Sequence, residues 1–160
     1  MGLLQSKPQE LKPIEAIQDF QISIFLGTWY QIAYLPNFFQ APNAIDVTAT
    51  YSTNEDGSVN VLNKEYVDCQ LNEIVGTASR AGTENQGEFL VSFFPGAPPG
   101  NYWILYMDAR CMFVSEPSKQ TAWFLARHPA IYQFELDYAM QFFAERGITG
   151  MQMTKHSYGR

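Results

Sequence analysis

The chain has 160 residues and a net charge of −6, with only 16% charged residues but 12 Phe, 9 Tyr and 3 Trp. That length suits one domain with a sizeable core, and the acidic balance excludes nucleic-acid recognition, which needs a basic footprint along the phosphates. No run approaches the roughly 20 apolar residues of a membrane-spanning helix, and neither His128 nor His156 has a Cys or His neighbour at metal-ligand spacing.

Residues 1–19, with Lys7-Pro8, Lys12-Pro13 and little periodicity, read as an arm ahead of a domain over 20–160. Met1–Ser6 fits the short N-myristoylation pattern at Gly2. No basic n-region with an apolar h-region stands at the start, and no Asn-x-Ser/Thr acceptor occurs. The compartment therefore stays open between a cytoplasmic or membrane-peripheral protein and a mature secreted or membrane-anchored form. Phe20, Ile22, Ile24, Phe25 and Leu26 form an apolar lead-in able to plug one end of the domain.

The stretch 27–35 is apolar or aromatic at almost every position, so it predicts a strand covered on both faces. Tyr30, Ile32 and Tyr34 form one row; Trp29, Gln31, Ala33 and Leu35 form the other. The loop 36–43 is bounded by prolines that cannot serve in a sheet ladder. Residues 46–52 alternate, with Val47, Ala49 and Tyr51 on one face, and Asn54-Glu55-Asp56-Gly57 supplies a hairpin turn. Strands come next over 58–68, 72–80 and 88–94, the last with Phe89, Val91 and Phe93 on one face. After the rigid 95–100 loop come strands over 101–108, 111–116 and 121–128. Eight strands with short connections predict an antiparallel up-and-down barrel, whose closure leaves no exposed edge.

Pro129 stands where a helix's first turn accepts it, and about 130–146 predicts a C-terminal helix packed outside, stopped at Gly147. Ile131, Phe134, Tyr138 and Phe142 form its stripe. Leu136, Met140 and Phe143 widen it beyond one docking face, so either the arm or a second subunit, giving a homodimer, covers the excess. Residues 151–156 predict a short outer strand.

This combination resembles the lipocalins over about residues 20–156. Gly27-x-Trp29 looks like their first signature, and Arg127 like the arginine that packs over that tryptophan. The middle signature, Thr-Asp-Tyr, is reduced here to Met107-Asp108-Ala109. Residues 27–33, 47–51, 61–63, 102–105 and 123–127 look most like the branch containing apolipoprotein D and the bacterial and plant lipocalins. The resemblance implies a small lipophilic ligand such as a fatty acid, lysophospholipid, sterol or pigment. In that branch the residues matching Tyr51, Asn63 and Trp123 line the cavity.

With Gly27, Trp29 and Arg127 as the floor, alternation sets the interior. Gln31, Ala33, Val47, Ala49, Tyr51, Val61, Asn63, Phe89, Val91, Phe93, Trp123 and Leu125 face the ligand. The strand 101–108 is ambiguous between Tyr102, Ile104, Tyr106 and Trp103, Leu105, Met107; the first set is favoured. A dry filled barrel would leave the amides of Asn63 and Gln31 unsatisfied, which favours a cavity with a few convergent polar groups. Phe38 and Phe39, in a mouth loop, either fold over the mouth as a lid or touch a membrane.

The topology puts Cys69 at the mouth and Cys111 at the floor, too far apart for a disulfide, so both are expected free. Free thiols suit a reducing compartment, or a secreted homologue that never used disulfides. No Ser/His/Asp or paired-carboxylate spacing appears. The expected function is therefore non-catalytic binding and transport or storage of a hydrophobic ligand, with no cofactor. The alternatives are a lipocalin-type enzyme acting on a lipophilic substrate, or an interaction module using the helix face.

Overall fold

A computed structural model of the chain describes residues 10–37, 40–94 and 96–157. The alternating segments form β1 (Gly27–Tyr34), β2 (Ile45–Thr53), β3 (Val59–Val67), β4 (Gln70–Arg80), β5 (Glu88–Ser92), β6 (Gly100–Met107), β7 (Cys111–Ser115) and β8 (Ala122–Ala126). Each pairs antiparallel with the next, and β1 joins both β8 and β2. The result is the expected closed eight-stranded up-and-down barrel. Three segments accompany it: a short helix α1 (Ile22–Phe25), the C-terminal helix α2 (Gln133–Ala144) and a small strand β9 (Gln152–Met153).

Buried apolar side chains fall into two layers. One fills the barrel: Trp29, Ala49, Tyr51, Val59, Val61, Ala78, Phe89, Ile104, Met112, Val114 and Leu125, with Phe20 and Phe25 entering from the lead-in. The other lies between the wall and α2 and unites Ile32, Phe113, Phe124 and Ala126 with Ala139 and Phe143 of the helix. The docking stripe therefore centres on Ala139 and Phe143, not on the row through Phe134 and Tyr138. Those two are 69% and 53% exposed. The helix begins only at Gln133, so Phe134 lies in its first turn and stacks on Tyr132 at 5.5 Å instead of reaching the barrel.

The N-terminal end of α2 is anchored by charge. Glu135 accepts two hydrogen bonds from Arg110, at 2.9 and 3.0 Å, and one from the Tyr132 backbone N–H at 3.0 Å. Chiefly through the Arg110 bonds, its carboxyl is held down to about 2. Asp108, the surviving residue of the middle signature, ties the β6–β7 turn by accepting from the N–H groups of Arg110 and Cys111, both at 2.7 Å.

Residues 10–19 touch both layers: Ile14 packs against the helix-side cluster and Ile17 against the interior one. Lys12 pairs with Glu145 beside the helix end, Ile17 bonds Ile104 and Gly87 through the backbone, and Phe20 bonds Asn85. The arm thus reaches the helix side of the barrel at Ile14 and the end of α2 at Glu145. Gly2 lies outside the described residues.

The segment from β9 onward is part of the wall. The β1–β2 pairing spans only Gly27–Tyr30; beyond it, Ala33 and Tyr34 pair with Met153 and Gln152, and Lys155 bridges Ile45. Asp46, at φ 51°, closes the seam by accepting from the N–H and hydroxyl of Ser157 at 2.7 and 2.6 Å.

Candidate functional site

The floor brings Gly27, Trp29 and Arg127 together as expected. The Arg127 guanidinium sits 3.7 Å from the Trp29 ring centroid and donates to the carbonyls of Thr28, Leu26 and Ile24. The indole N–H donates to the Phe25 carbonyl at 2.8 Å. Gly27 holds φ +106°, and a Cβ there would lie 3.2 Å from the guanidinium, so position 27 needs glycine on both counts. Above this, Phe25 stacks on Tyr51 at 4.3 Å and on Phe89 at 5.4 Å. The floor half of the barrel is closed by rings.

Toward the mouth the packing loosens. Ala49, Tyr51, Val61, Phe89, Ile104 and Leu125 are buried in the interior cluster, whereas Val91, Phe93, Tyr102 and Trp123 pack against it yet keep accessible surface. Asn63 stands opposite Ala49 in the ladder and is half-buried. Gly76 faces the same space: a Cβ there would come within 2.6 Å of the Phe93 ring, so its bare backbone is what seats Phe93. Val47, beside a bulge in β2, is half-buried and belongs to neither cluster.

Two expected lining residues, Ala33 and Tyr106, are placed otherwise, and a third, Gln31, is engaged elsewhere. A β-bulge between Gln31 and Ala33 inserts one residue and switches faces. Ala33 consequently pairs with Phe124 and sits in the helix-side layer, while Tyr34 turns inward opposite Trp123. A second bulge, between Ile104 and Tyr106, does the same in β6. Tyr102 and Ile104 face inward as favoured. Tyr106 instead points outward against Phe113 and Tyr138, and Met107 takes the inward place opposite Met112. Gln31 keeps its inward register opposite Leu125, but its amide donates to the Thr154 hydroxyl at 2.8 Å and is spent on the wall seam. Met112 and Val114 also face the lumen, which simple alternation through β7 would have given.

The lumen's polar groups are few. The hydroxyls of Tyr51 and Tyr102 meet at 2.6 Å, and Trp123 stacks on Tyr102 at 6.0 Å. Burial raises both phenols, Tyr51 to about 12 and Tyr102 well above its ordinary value, so both stay neutral. Two open recesses, of about 390 and 480 Å³, lie outside the barrel, one beside Ile14 and Trp103 and the other beside Arg110 and His128.

At the rim, β3 and β4 pair as far as Val67 and Gln70, whereas β4 and β5 stop at Thr77 and Ser92. The β3–β4 hairpin therefore stands above its neighbour. Leu71, Ile74 and Val75 on it are 45%, 37% and 55% exposed, and Phe94 in the next loop 61%. Phe38 and Phe39 lie outside the described residues. Cys69, in the hairpin turn, is exposed and Cys111 is buried; both are free thiols, as expected. Among the described residues no cluster of three His, Cys, Asp or Glu side chains is arranged to hold a metal.

A family model described as a lipocalin-like domain matches residues 20–157. The mouse (Mus musculus) apolipoprotein D is 31% identical over 146 residues, 86% of this chain and 76% of that protein. The outer membrane lipoprotein Blc of Vibrio cholerae is 32% identical over 146 residues, 88% and 82% of the two chains. Temperature-induced lipocalin-1 of Arabidopsis thaliana is 32% identical over 129 residues, 74% and 68%. Among solved structures, insecticyanin from the tobacco hornworm Manduca sexta superposes with a TM-score of 0.75, covering 95% of this chain and 89% of that one at 19% identity, a likeness of fold.

Proposed function

The chain belongs to the lipocalin family, whose members generally bind small hydrophobic ligands, and we propose that its barrel carries or stores one such ligand without transforming it. The observation that supports this is the gradient of burial inside the barrel. Below, Trp29, Phe25 and Phe89 are sealed; above, Asn63, Phe93, Tyr102 and Trp123 face inward and keep accessible surface. An apolar recess with a few convergent polar groups is the usual form of a small-ligand site. The ring-lined walls suit an acyl chain, as in a fatty acid or lysophospholipid. The thiol at Cys111 lies in the helix-side layer, away from the lumen, and burial pushes it up to about 12, which weighs against a nucleophilic role. The raised apolar rim at Leu71, Ile74, Val75 and Phe94 supports transient contact with a membrane during ligand transfer.

The test is quenching of intrinsic fluorescence by titrated fatty acid, with Trp123→Phe as the control. Saturable quenching that the substitution removes supports the reading; no quenching of the wild type sinks it. A second reading, pairing of two copies through the outer helix face, rests on exposed Tyr132, Phe134 and Tyr138. Size-exclusion with light scattering decides it, and a monomer at high concentration removes it.

A further inference from the structure

We propose that the deep end of the lumen recognises an uncharged oxygen acceptor on the ligand, a ketone, ester or alcohol oxygen, through the Tyr51–Tyr102 phenol pair. The proposal rests on the carrier reading and names what that site selects. Tyr51 stands on β2 and Tyr102 on β6, strands that are not neighbours in the sheet, so their 2.6 Å contact crosses the barrel interior. Two phenols carry two protons, and their mutual bond uses one. Among the described residues neither hydroxyl has another hydrogen-bond partner, which leaves one part-buried O–H donor facing the lumen without a protein acceptor. An unmade bond at a buried donor is costly, and a ligand oxygen seated there recovers it.

The surroundings decide the charge of that ligand group. The inward side chains around and above the pair include Tyr34, Asn63, Val91, Phe93, Val114 and Trp123, none of them charged, and the Glu116 carboxylate beyond Val114 is engaged by Ser118 and Thr121. Two residues beyond Asn63 on the same face of β3 comes Glu65, at the rim. Arg80 and Arg127 lie at the floor behind Phe20, Phe89 and Trp29. A carboxylate taken to the phenol pair would lose its hydration for a single O–H donor and no cation, a poor exchange. An ionised head therefore stays at the mouth, with only its tail descending, while a neutral oxygen-bearing end is drawn to the bottom.

The experiment compares three ten-carbon probes by calorimetric titration at about pH 8: the alkane, its methyl ketone and its carboxylate. One net hydrogen bond gives the ketone an advantage of up to about tenfold over the alkane. The carboxylate gains no such advantage from the phenols. In a Tyr51→Phe/Tyr102→Phe double variant the ketone loses its advantage over the alkane, while saturable alkane binding persists and reports an intact lumen. A wild-type protein that binds ketone and alkane equally overturns the proposal, and that comparison stands even if the double variant does not fold. So does a ketone preference that survives in the double variant, or a carboxylate whose affinity drops when the hydroxyls are removed. If the wild type binds none of the three, the carrier reading itself falls.

Discussion

Arg127 and Trp29 lock each other at the barrel floor: the guanidinium covers the indole at 3.7 Å while its donors take carbonyls from the lead-in and β1. The tryptophan is fully buried. Trp29→Ala should therefore destabilise by about 3–5 kcal/mol, the cost of an unfilled aromatic site. Chemical denaturation measures this, and a loss below about 1 kcal/mol would mean that the indole is not the floor plug.

Ala33 gives a sharper test of the bulge in β1. It is completely buried in the layer that holds α2. Ala33→Leu should overpack that layer and cost about 1–3 kcal/mol, with ligand affinity of the folded protein unchanged. A variant of normal stability whose ligand affinity collapses would put position 33 back inside the lumen.

These two residues also mark what the sequence made legible. Alternation revealed all eight strands, because a closed barrel with a covered inside keeps one face of each strand apolar. The pair Gly27-x-Trp29 and Arg127 located the floor, because each residue there has one physical role. The bulges were not legible. One inserted residue flips every later side chain to the other face, and nothing in Gln31-Ile32-Ala33 or Leu105-Tyr106 differs from an unbroken strand. Alternation alone therefore puts Ala33 and Tyr106 inward and Tyr34 and Met107 outward, the reverse of their places in the barrel. Gln31 keeps the inward register that alternation gives, but its amide bonds Thr154, 123 residues away, a contact that local pattern cannot carry.

Acid should loosen the helix. Glu135's carboxyl is held down to about 2, mainly by Arg110, so the stability from this contact is fully present above the ordinary carboxylate range. It is lost as pH falls from about 4.5 toward 2. Glu135→Gln should lower Tm at neutral pH, and the gap from wild type should narrow over that acid window. A gap that is constant with pH would show that the pair contributes nothing through charge.

The thiols should separate cleanly. Burial and then the Glu135 carboxylate raise Cys111 to about 12, whereas Cys69 is exposed on a hairpin turn. Alkylation of the native protein near pH 8, followed by peptide mass mapping, should label Cys69 and spare Cys111 until the chain is unfolded. Equal labelling of both would contradict the tight seat of α2 over β7.

If the upper barrel holds a lipophilic guest, native mass spectrometry of the protein as purified, before any lipid is added, should reveal it. The expected spectrum contains a population heavier by the mass of one small lipophilic molecule, released on unfolding and identifiable by organic extraction. Protein of bare-chain mass alone, unchanged after incubation with fatty acids and methyl ketones, would contradict it.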